Sequence, residues 1–235
     1  MCMKLLVIIT LLISLTGCAQ IKSASVLNAF GNIFNQEKII EFQHQLMDHR
    51  RGTNYRELKA INSDYVGIVR IGNLINEKVV HSSDNEEYLR LDFEKNYYRK
   101  GTVFMDYRNT LADQNIILYG HYVYYDETSM FSPLHQLKEE KNYEANKIIE
   151  FELENEIRCY QIVSVFYYDL DAVEPQYFHT EYTDYLEEYL KDIQRVEFYD
   201  TGLEITDDSK LLSLQTCVRN RDDLRLIVLA EQIEE

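Results

Sequence analysis

Residues 211–217 read Leu-Leu-Ser-Leu-Gln-Thr-Cys, and the next apolar run, Leu224–Ala230, carries one arginine, Arg225. Both runs have the length and the apolar content of buried strands, and polar residues separate them. The first strand is therefore predicted to end at the thiol of Cys217, and the second to hold a permanent cation. A third predicted strand, Asn115–Tyr119, leads through one glycine to the imidazole of His121.

These three side chains together indicate acyl transfer by a thiol. Cys217 would be the nucleophile, His121 the proton carrier and Arg225 the group that stabilises a developing oxyanion. A free thiol is mostly protonated at neutral pH, so it needs a partner such as imidazole to accept its proton. Taken singly, His121 could simply end a strand and Arg225 could extend to water. Their joint occurrence at strand ends favours the catalytic interpretation.

The remaining pattern predicts a mainly β domain, either a closed barrel or a sandwich. Eight runs have strand character: Val66–Ile71, Lys78–His81, Thr102–Tyr107, Asn115–Tyr119, Lys147–Leu153, Ile157–Tyr168, Lys210–Cys217 and Leu224–Ala230.

Two segments instead show the spacing of amphipathic helices. In Gln36–Arg50, apolar residues recur on one helical face, and Thr183–Ile193 repeats them at i, i+3, i+4 and i+7. The first helix precedes the strands. The second lies between the long strand that begins at Ile157 and the strand that ends at Cys217.

The composition excludes several classes of function. The chain has 235 residues and a formal net charge of −16, so nucleic acid and anionic lipid head groups are poor partners. It has no Cys-x-x-Cys pair, no His-Glu-x-x-His and no glycine-rich phosphate loop, so neither a metal nor a cofactor is expected. Five further histidines are scattered without ligand spacing: His44, His49, His81, His135 and His179.

The N terminus has the features of an export signal. Met1–Lys4 leads into the apolar run Leu5–Leu15, and Leu15-Thr16-Gly17-Cys18 resembles the lipobox of bacterial lipoproteins. Cys18 would then be lipidated. The alternative is an uncleaved anchor, because the uncharged stretch from residue 5 to residue 21 has 17 residues, close to the lower limit of about 17 for a membrane span. Both interpretations predict a location on the outer face of the cytoplasmic membrane.

These boundaries predict three parts: residues 1–18 as signal or anchor, 19–35 as a tether and 36–235 as one catalytic domain. The domain contains two cysteines, Cys159 and Cys217. A disulfide between them is possible in an exported protein. Cys159 lies in a strand-like stretch, where a lone cysteine is usually a small buried apolar residue. Cys217 is then left as a free thiol.

The chain resembles the class B sortases of Gram-positive cell envelopes from about Ile61 to Ala230. The segments that carry the resemblance occur in family order: Val66–Ile71, Asp84–Leu89, Gly101–Asn109, Tyr119-Gly120-His121, Ser129-Met130-Phe131, Leu214–Cys217 and Arg225. The Phe-Met-Asp-Tyr-Arg-Asn run and the spacing from cysteine to arginine are the specific features. The chain departs from the family at Tyr122, where asparagine is common, and at Gln215, which replaces a small residue.

The resemblance implies an eight-stranded barrel with an N-terminal helix and a second helix before the cysteine strand. It also implies a cysteine transpeptidase that cleaves a surface protein at a sorting signal of the type Asn/Ser-Pro-x-Thr-Gly/Asn. The acyl group would pass to an amine of a peptidoglycan precursor. Cys217, His121 and Arg225 match the family's catalytic positions, and Asn85, Leu89 and Thr180 match positions that line the signal groove.

Two other functions remain open from the sequence. In an L,D-transpeptidase, a hydrophobic residue and arginine also follow the cysteine, but that family has Ser-His-Gly where this chain has residues 214–216. The second alternative is a non-catalytic lipoprotein that binds envelope peptides. Loss of a catalytic residue would favour it, and Cys217, His121 and Arg225 are all present.

Overall fold

The structure is a computed structural model and describes residues 54–170 and 197–233, all within one compact unit. The predicted helices Gln36–Arg50 and Thr183–Ile193 lie outside the described residues. The same holds for Cys18 and Thr180, so the predictions made for these segments stay predictions.

Eight strands close into a barrel in the order β1-β2-β3-β4-β7-β8-β6-β5, which confirms the predicted architecture. The strands are β1 Tyr65–Ile71, β2 Ile75–Val80, β3 Val103–Met105, β4 Asn115–Tyr119, β5 Ile148–Glu152, β6 Ile157–Asp169, β7 Leu211–Val218 and β8 Arg221–Ile233. The pairs β2–β3 and β4–β7 are parallel, and the other neighbours are antiparallel.

Strand bounds follow the prediction where an apolar run has clear ends, and differ where turns intervene. β4 has the predicted bounds. β2 begins earlier than expected because Gly72, with a φ of 45°, allows a tight turn that pairs Ile75 with Ile71. β3 is shorter than expected because the chain turns after Met105, with the Asn109 amide donating to the carbonyl of Asp106. β8 is longer because it pairs with both β6 and β7.

Side chains alternate between the inside and the outside of the barrel along each strand. On β4, β7 and β8 the interior core takes Ile116, Leu118, Leu212, Leu214, Leu226 and Val228. The residues that alternate with them face outward, and four of these pack in a second buried cluster with Phe166 and Ile205: Ile117, Leu211, Ile227 and Leu229. The outer face of these three strands is therefore buried near the start of β7. Residues 215, 217 and 225 lie further along the same face.

A third cluster lies on another part of the outer barrel surface. It buries Tyr65, Tyr88 and Phe93 and includes the half-buried Leu58, which belongs to the helical residues 54–61. The segment between β2 and β3 contains a short 3-10 helix, Glu87–Leu89, and the segment after β4 contains another, Ser132–Lys138. Further turns of helix are Glu140–Asn142 and Tyr143–Asn146. None of the helices in the described ranges is long and apolar enough to cross a membrane.

Candidate active site

Strand register brings the three predicted catalytic residues together. β4 and β7 are parallel with Tyr119 opposite Gln215, and the Gly120 amide donates to the Gln215 carbonyl at 3.1 Å. His121 and Cys217 each follow this pair by two residues, His121 just beyond the end of β4 and Cys217 still on β7. β7 and β8 are antiparallel, and Cys217 pairs directly with Arg225. The order across three adjacent strands is therefore His121, Cys217, Arg225.

The alternation of side chains puts Cys217 and Arg225 on the outer face of the barrel. Cys217 is exposed and is a free thiol, with no disulfide to Cys159, while His121 and Arg225 are half-buried. No hydrogen bond joins the Cys217 thiol to His121 within the described ranges. Such contacts are often long in enzymes without substrate. The arrangement leaves the sulfur open to a peptide that lies along this face.

The guanidinium of Arg225 is held by backbone carbonyl oxygens next to an irregularity in the β7–β8 ladder. The register shifts between Cys217 and Val218, which pairs with Arg221. Nη1 of Arg225 donates to the carbonyl oxygens of Asp222 and Leu224, at 2.9 and 2.8 Å. Its Nε and Nη2 make no hydrogen bond to the described residues. These N–H groups can therefore donate to a substrate oxygen.

His121 is oriented by the segment between β2 and β3. Its Nε2 lies 3.0 Å from the carbonyl oxygen of Leu89 and 3.4 Å from Nη1 of Arg90. Burial is the main cause that lowers the pKa of His121, and the positive charge of Arg90 acts in the same direction, against the hydrogen bond to Leu89. The imidazole is therefore mostly neutral at neutral pH. Leu89, a predicted groove residue, contacts His121 through its backbone.

A buried carboxylate supports the strand end that leads to His121. Asp106 is fully buried and accepts hydrogen bonds from the Tyr119 hydroxyl at 2.9 Å and from Asn85 Nδ2 at 3.0 Å. Burial alone would raise the pKa of Asp106, but these bonds and those from Arg108 lower it to about 2. Asn85, the other predicted groove residue described, also accepts from the Tyr107 amide at 2.9 Å. Asn85 is thus connected to Tyr119, two residues before His121.

His135 is a neighbour of Cys217 that the sequence does not indicate. Its Nε2 lies 3.0 Å from the Cys217 carbonyl oxygen, and its ring packs on Tyr122 with 4.7 Å between the centroids. His135 belongs to the 3-10 helix Ser132–Lys138 and lies 82 positions before Cys217. No spacing rule connects the two. Tyr122, where the family commonly has asparagine, is the residue that this ring packs against.

Two polar atoms just before the thiol have no hydrogen-bond partner among the described residues. They are Nε2 of Gln215 and Oγ1 of Thr216, both buried. Buried polar groups are usually paired. Gln215 projects outward on the same side of β7 as Cys217, two residues before the thiol. In the described ranges, no group of three His, Cys, Asp or Glu side chains could hold a metal ion.

The comparison with known proteins agrees with this geometry. Sortase B of Staphylococcus aureus is 32% identical over 211 residues, which cover 85% of this chain and 84% of that protein. A Staphylococcus aureus sortase B–substrate complex superposes with a TM-score of 0.70 at 29% identity, covering 89% of this chain and 99% of the other. A sortase B complexed with triglycine gives 0.70 at 30% identity, with 85% and 96% covered. No family model matches the chain.

A cysteine-dependent transpeptidase on a closed eight-stranded barrel is the class of protein defined by this fold and these relatives. The chain belongs to the sortase B family. Family membership decides between the sortase prediction and the two alternatives, an L,D-transpeptidase and a non-catalytic binding lipoprotein.

Proposed function

We propose that this sortase cleaves a surface protein after the threonine of a C-terminal sorting signal of the type Asn/Ser-Pro-x-Thr-Gly/Asn. The acyl group, held on Cys217 as a thioacyl bond, would then pass to an amine of a peptidoglycan precursor. The observation that carries the proposal is the direct pairing of the exposed Cys217 with Arg225, with His121 two residues beyond the end of the neighbouring strand β4. The substrate complex of the Staphylococcus aureus relative supports peptide binding by the same fold.

In the first step, Sγ of Cys217 attacks the threonine carbonyl carbon of the signal. His121 takes the thiol proton and gives it to the leaving amine as the C–N bond breaks, which leaves a thioacyl bond on Cys217. The oxyanion formed on the way accepts hydrogen bonds from Nε and Nη2 of Arg225, which have no other partner in the described residues. Donors placed in advance cost no reorganisation when the charge develops.

In the second step, the acceptor amine attacks the thioacyl carbon. One amine proton passes through His121 to the departing sulfur, so a new amide bond forms and the Cys217 thiol is restored. The lowered pKa of His121, caused mainly by burial, favours the neutral ring that acts as the base in both attacks. The triglycine complex of a sortase B supports an acceptor with a free amino group.

Asn85, Leu89 and Thr180 are proposed to line the groove for the signal. Asn85 and Leu89 belong to the segment between β2 and β3, which also contacts His121 through the Leu89 carbonyl. The hydrogen bonds of Asn85 to Asp106 and to the Tyr107 amide would fix the angle at which its side chain meets the peptide. Thr180 lies outside the described residues.

The test of this proposal is a panel of fluorescent peptides with Asn or Ser at the first position and Gly or Asn after threonine. Each peptide is incubated with the protein from about Ser23 onward, with and without triglycine, and the products are identified by mass spectrometry. We expect cleavage after threonine, and a ligated product only when the amine is present. Cleavage at another bond, or none in the whole panel, would overturn the proposed specificity.

We further propose that the protein is held at the outer face of the cytoplasmic membrane by its N terminus. The support is the sequence Leu15-Thr16-Gly17-Cys18 after an apolar run. Mass spectrometry of protein extracted from membranes should show a diacylated N-terminal Cys18, and the Cys18→Ala variant should lack it. An intact Met1 terminus would instead establish the uncleaved anchor.

A further inference from the structure

A second histidine contacts the backbone of the candidate nucleophile. Nε2 of His135 lies 3.0 Å from the carbonyl oxygen of Cys217. A carbonyl oxygen can only accept, so this nitrogen carries a hydrogen and the ring donates it. The ring also packs against Tyr122, the residue that follows His121, with 4.7 Å between the centroids. One imidazole therefore contacts both the backbone of Cys217 and the neighbour of His121.

The end of β7 has less support from its neighbouring strands than the rest of β7. β4 ends at Tyr119, so its ladder with β7 stops at Gln215, two residues before the thiol. The ladder with β8 changes register immediately after Cys217. A strand end with an interrupted ladder has fewer hydrogen bonds to fix its position. The His135 side chain supplies one at the reacting residue.

We propose that His135 is a positioning residue for acyl transfer, which holds the Cys217 carbonyl and so fixes Sγ relative to His121 and Arg225. The inference rests on the proposed function, because it takes Cys217 as the nucleophile. His135 touches the backbone of Cys217, so it acts through that residue. An error of about 1 Å in the position of a reacting group can lower a rate about 100-fold.

Burial and charged neighbours both act on the pKa of His135. Burial is the main cause that lowers the pKa of His135, the hydrogen bond to the Cys217 carbonyl and the charge of Glu127 raise it, and Lys138 lowers it. The positive charge of Arg219 also acts on Tyr122, whose ring packs against His135. Both the neutral tautomer with a hydrogen on Nε2 and the imidazolium can donate from Nε2, so the contact does not depend on titration.

The test uses two substitutions of His135 in the full-length protein. His135→Phe keeps a flat ring against Tyr122 but removes the donor, whereas His135→Gln restores an N–H at the end of the side chain. We expect His135→Phe to lower kcat about tenfold or more, with KM changed less than about twofold. His135→Gln should recover kcat to within about threefold of the parent. Gln136→Ala, an exposed neighbour in the same 3-10 helix, is the matched control and should behave as the parent.

The outcomes separate this inference from the proposed function. If His135→Phe has the kcat of the parent while Cys217→Ala is inactive, the positioning role is wrong and the nucleophile stands. An active Cys217→Ala variant would overturn the proposed function itself. If His135→Phe shows no thermal unfolding transition and so does not fold, the kcat of His135→Gln is the deciding measurement. A folded His135→Gln variant with recovered kcat supports the role, and a folded variant slower than the parent by about tenfold overturns it.

Discussion

The carbonyl oxygen of Leu89 lies 3.0 Å from Nε2 of His121. Because that oxygen can only accept, Nε2 carries the hydrogen, and in the neutral ring Nδ1 is the nitrogen with the free lone pair. Arg90, at 3.4 Å, cannot donate to a nitrogen that is already protonated. Its Nη1 donates instead to the carbonyls of Leu89 and Arg99. The backbone between β2 and β3 thus selects the tautomer of the candidate base.

This relationship predicts the titration of His121. The pKa should lie below the ordinary value of 6.5, since burial and then the charge of Arg90 disfavour the imidazolium. Nitrogen-15 spectra recorded from pH 5 to pH 8 should show a neutral ring protonated at Nε2 at the upper end, and His121→Gln assigns the signals. A ring protonated at Nδ1 near pH 8, or a midpoint above 6.5, would contradict the assignment.

Replacement of Arg225 tests the proposed oxyanion contact. Arg225→Lys keeps the charge but loses the planar fork, so kcat should fall on the order of 100- to 1,000-fold while substrate binding changes much less. Steady-state kinetics on a cleaved peptide measures both. Arg219→Lys, an exposed arginine in the adjacent loop, is the matched control. A folded Arg225→Lys variant with nearly the activity of the parent would remove Arg225 from this role.

Gly120 is required by close packing. A Cβ at this position would lie 2.5 Å from Cγ of Phe131, whose ring is completely buried. Gly120→Ala should therefore cost about 1–3 kcal/mol in the free energy of unfolding and lower activity by displacing His121. Urea unfolding of the two single variants and of Gly120→Ala with Phe131→Ala completes a double-mutant cycle. Strictly additive losses in that cycle would show that the two side chains do not clash.

Asp106 should make stability depend on pH in the acid range. Its pKa is lowered to about 2 in the folded protein, from an ordinary 3.8, so the ionised form favours folding. The contribution is fully present above 3.8 and is lost as the pH falls towards 2. The linked free energy is about 2 kcal/mol. Denaturant unfolding at pH 5 and pH 2.5 should show this loss in the parent.

The matched variants for that experiment are Asp106→Asn and the exposed Asp208→Asn. Asp106→Asn should be less stable at pH 5 and should lose less stability on acidification. Asp208→Asn should follow the parent. Equal pH dependence in Asp106→Asn and the parent would show that this carboxylate does not contribute in the acid range.

The sequence predicts local features of this fold better than non-local ones. β4 has the predicted bounds because an apolar run ends at Gly120, and Cys217 and Arg225 are indicated by their places in two apolar strands. Barrel closure depends on pairing β1 with β5, far apart in the chain, and no periodicity within either strand specifies it. The barrel was one of two architectures that the pattern allowed.

The candidate site shows the same division. The residues whose chemistry is unusual in their setting, a free thiol, an imidazole and an arginine at strand ends, could be identified directly. His135 could not, because its relation to Cys217 is a single hydrogen bond between distant segments. Asp106 lies in the specific Phe-Met-Asp-Tyr-Arg-Asn run, but its bonds to Tyr119 and Asn85 require the folded chain.

The most direct test of the account is the covalent intermediate. The protein is mixed with an excess of sorting-signal peptide without an acceptor amine, quenched in acid, digested and analysed by mass spectrometry. We predict an acyl group ending in threonine on the Cys217 peptide, absent from Cys217→Ala, unchanged in Cys159→Ala and removed by triglycine with formation of the ligated product. An adduct on Cys159, or turnover of the peptide by Cys217→Ala, would contradict the account.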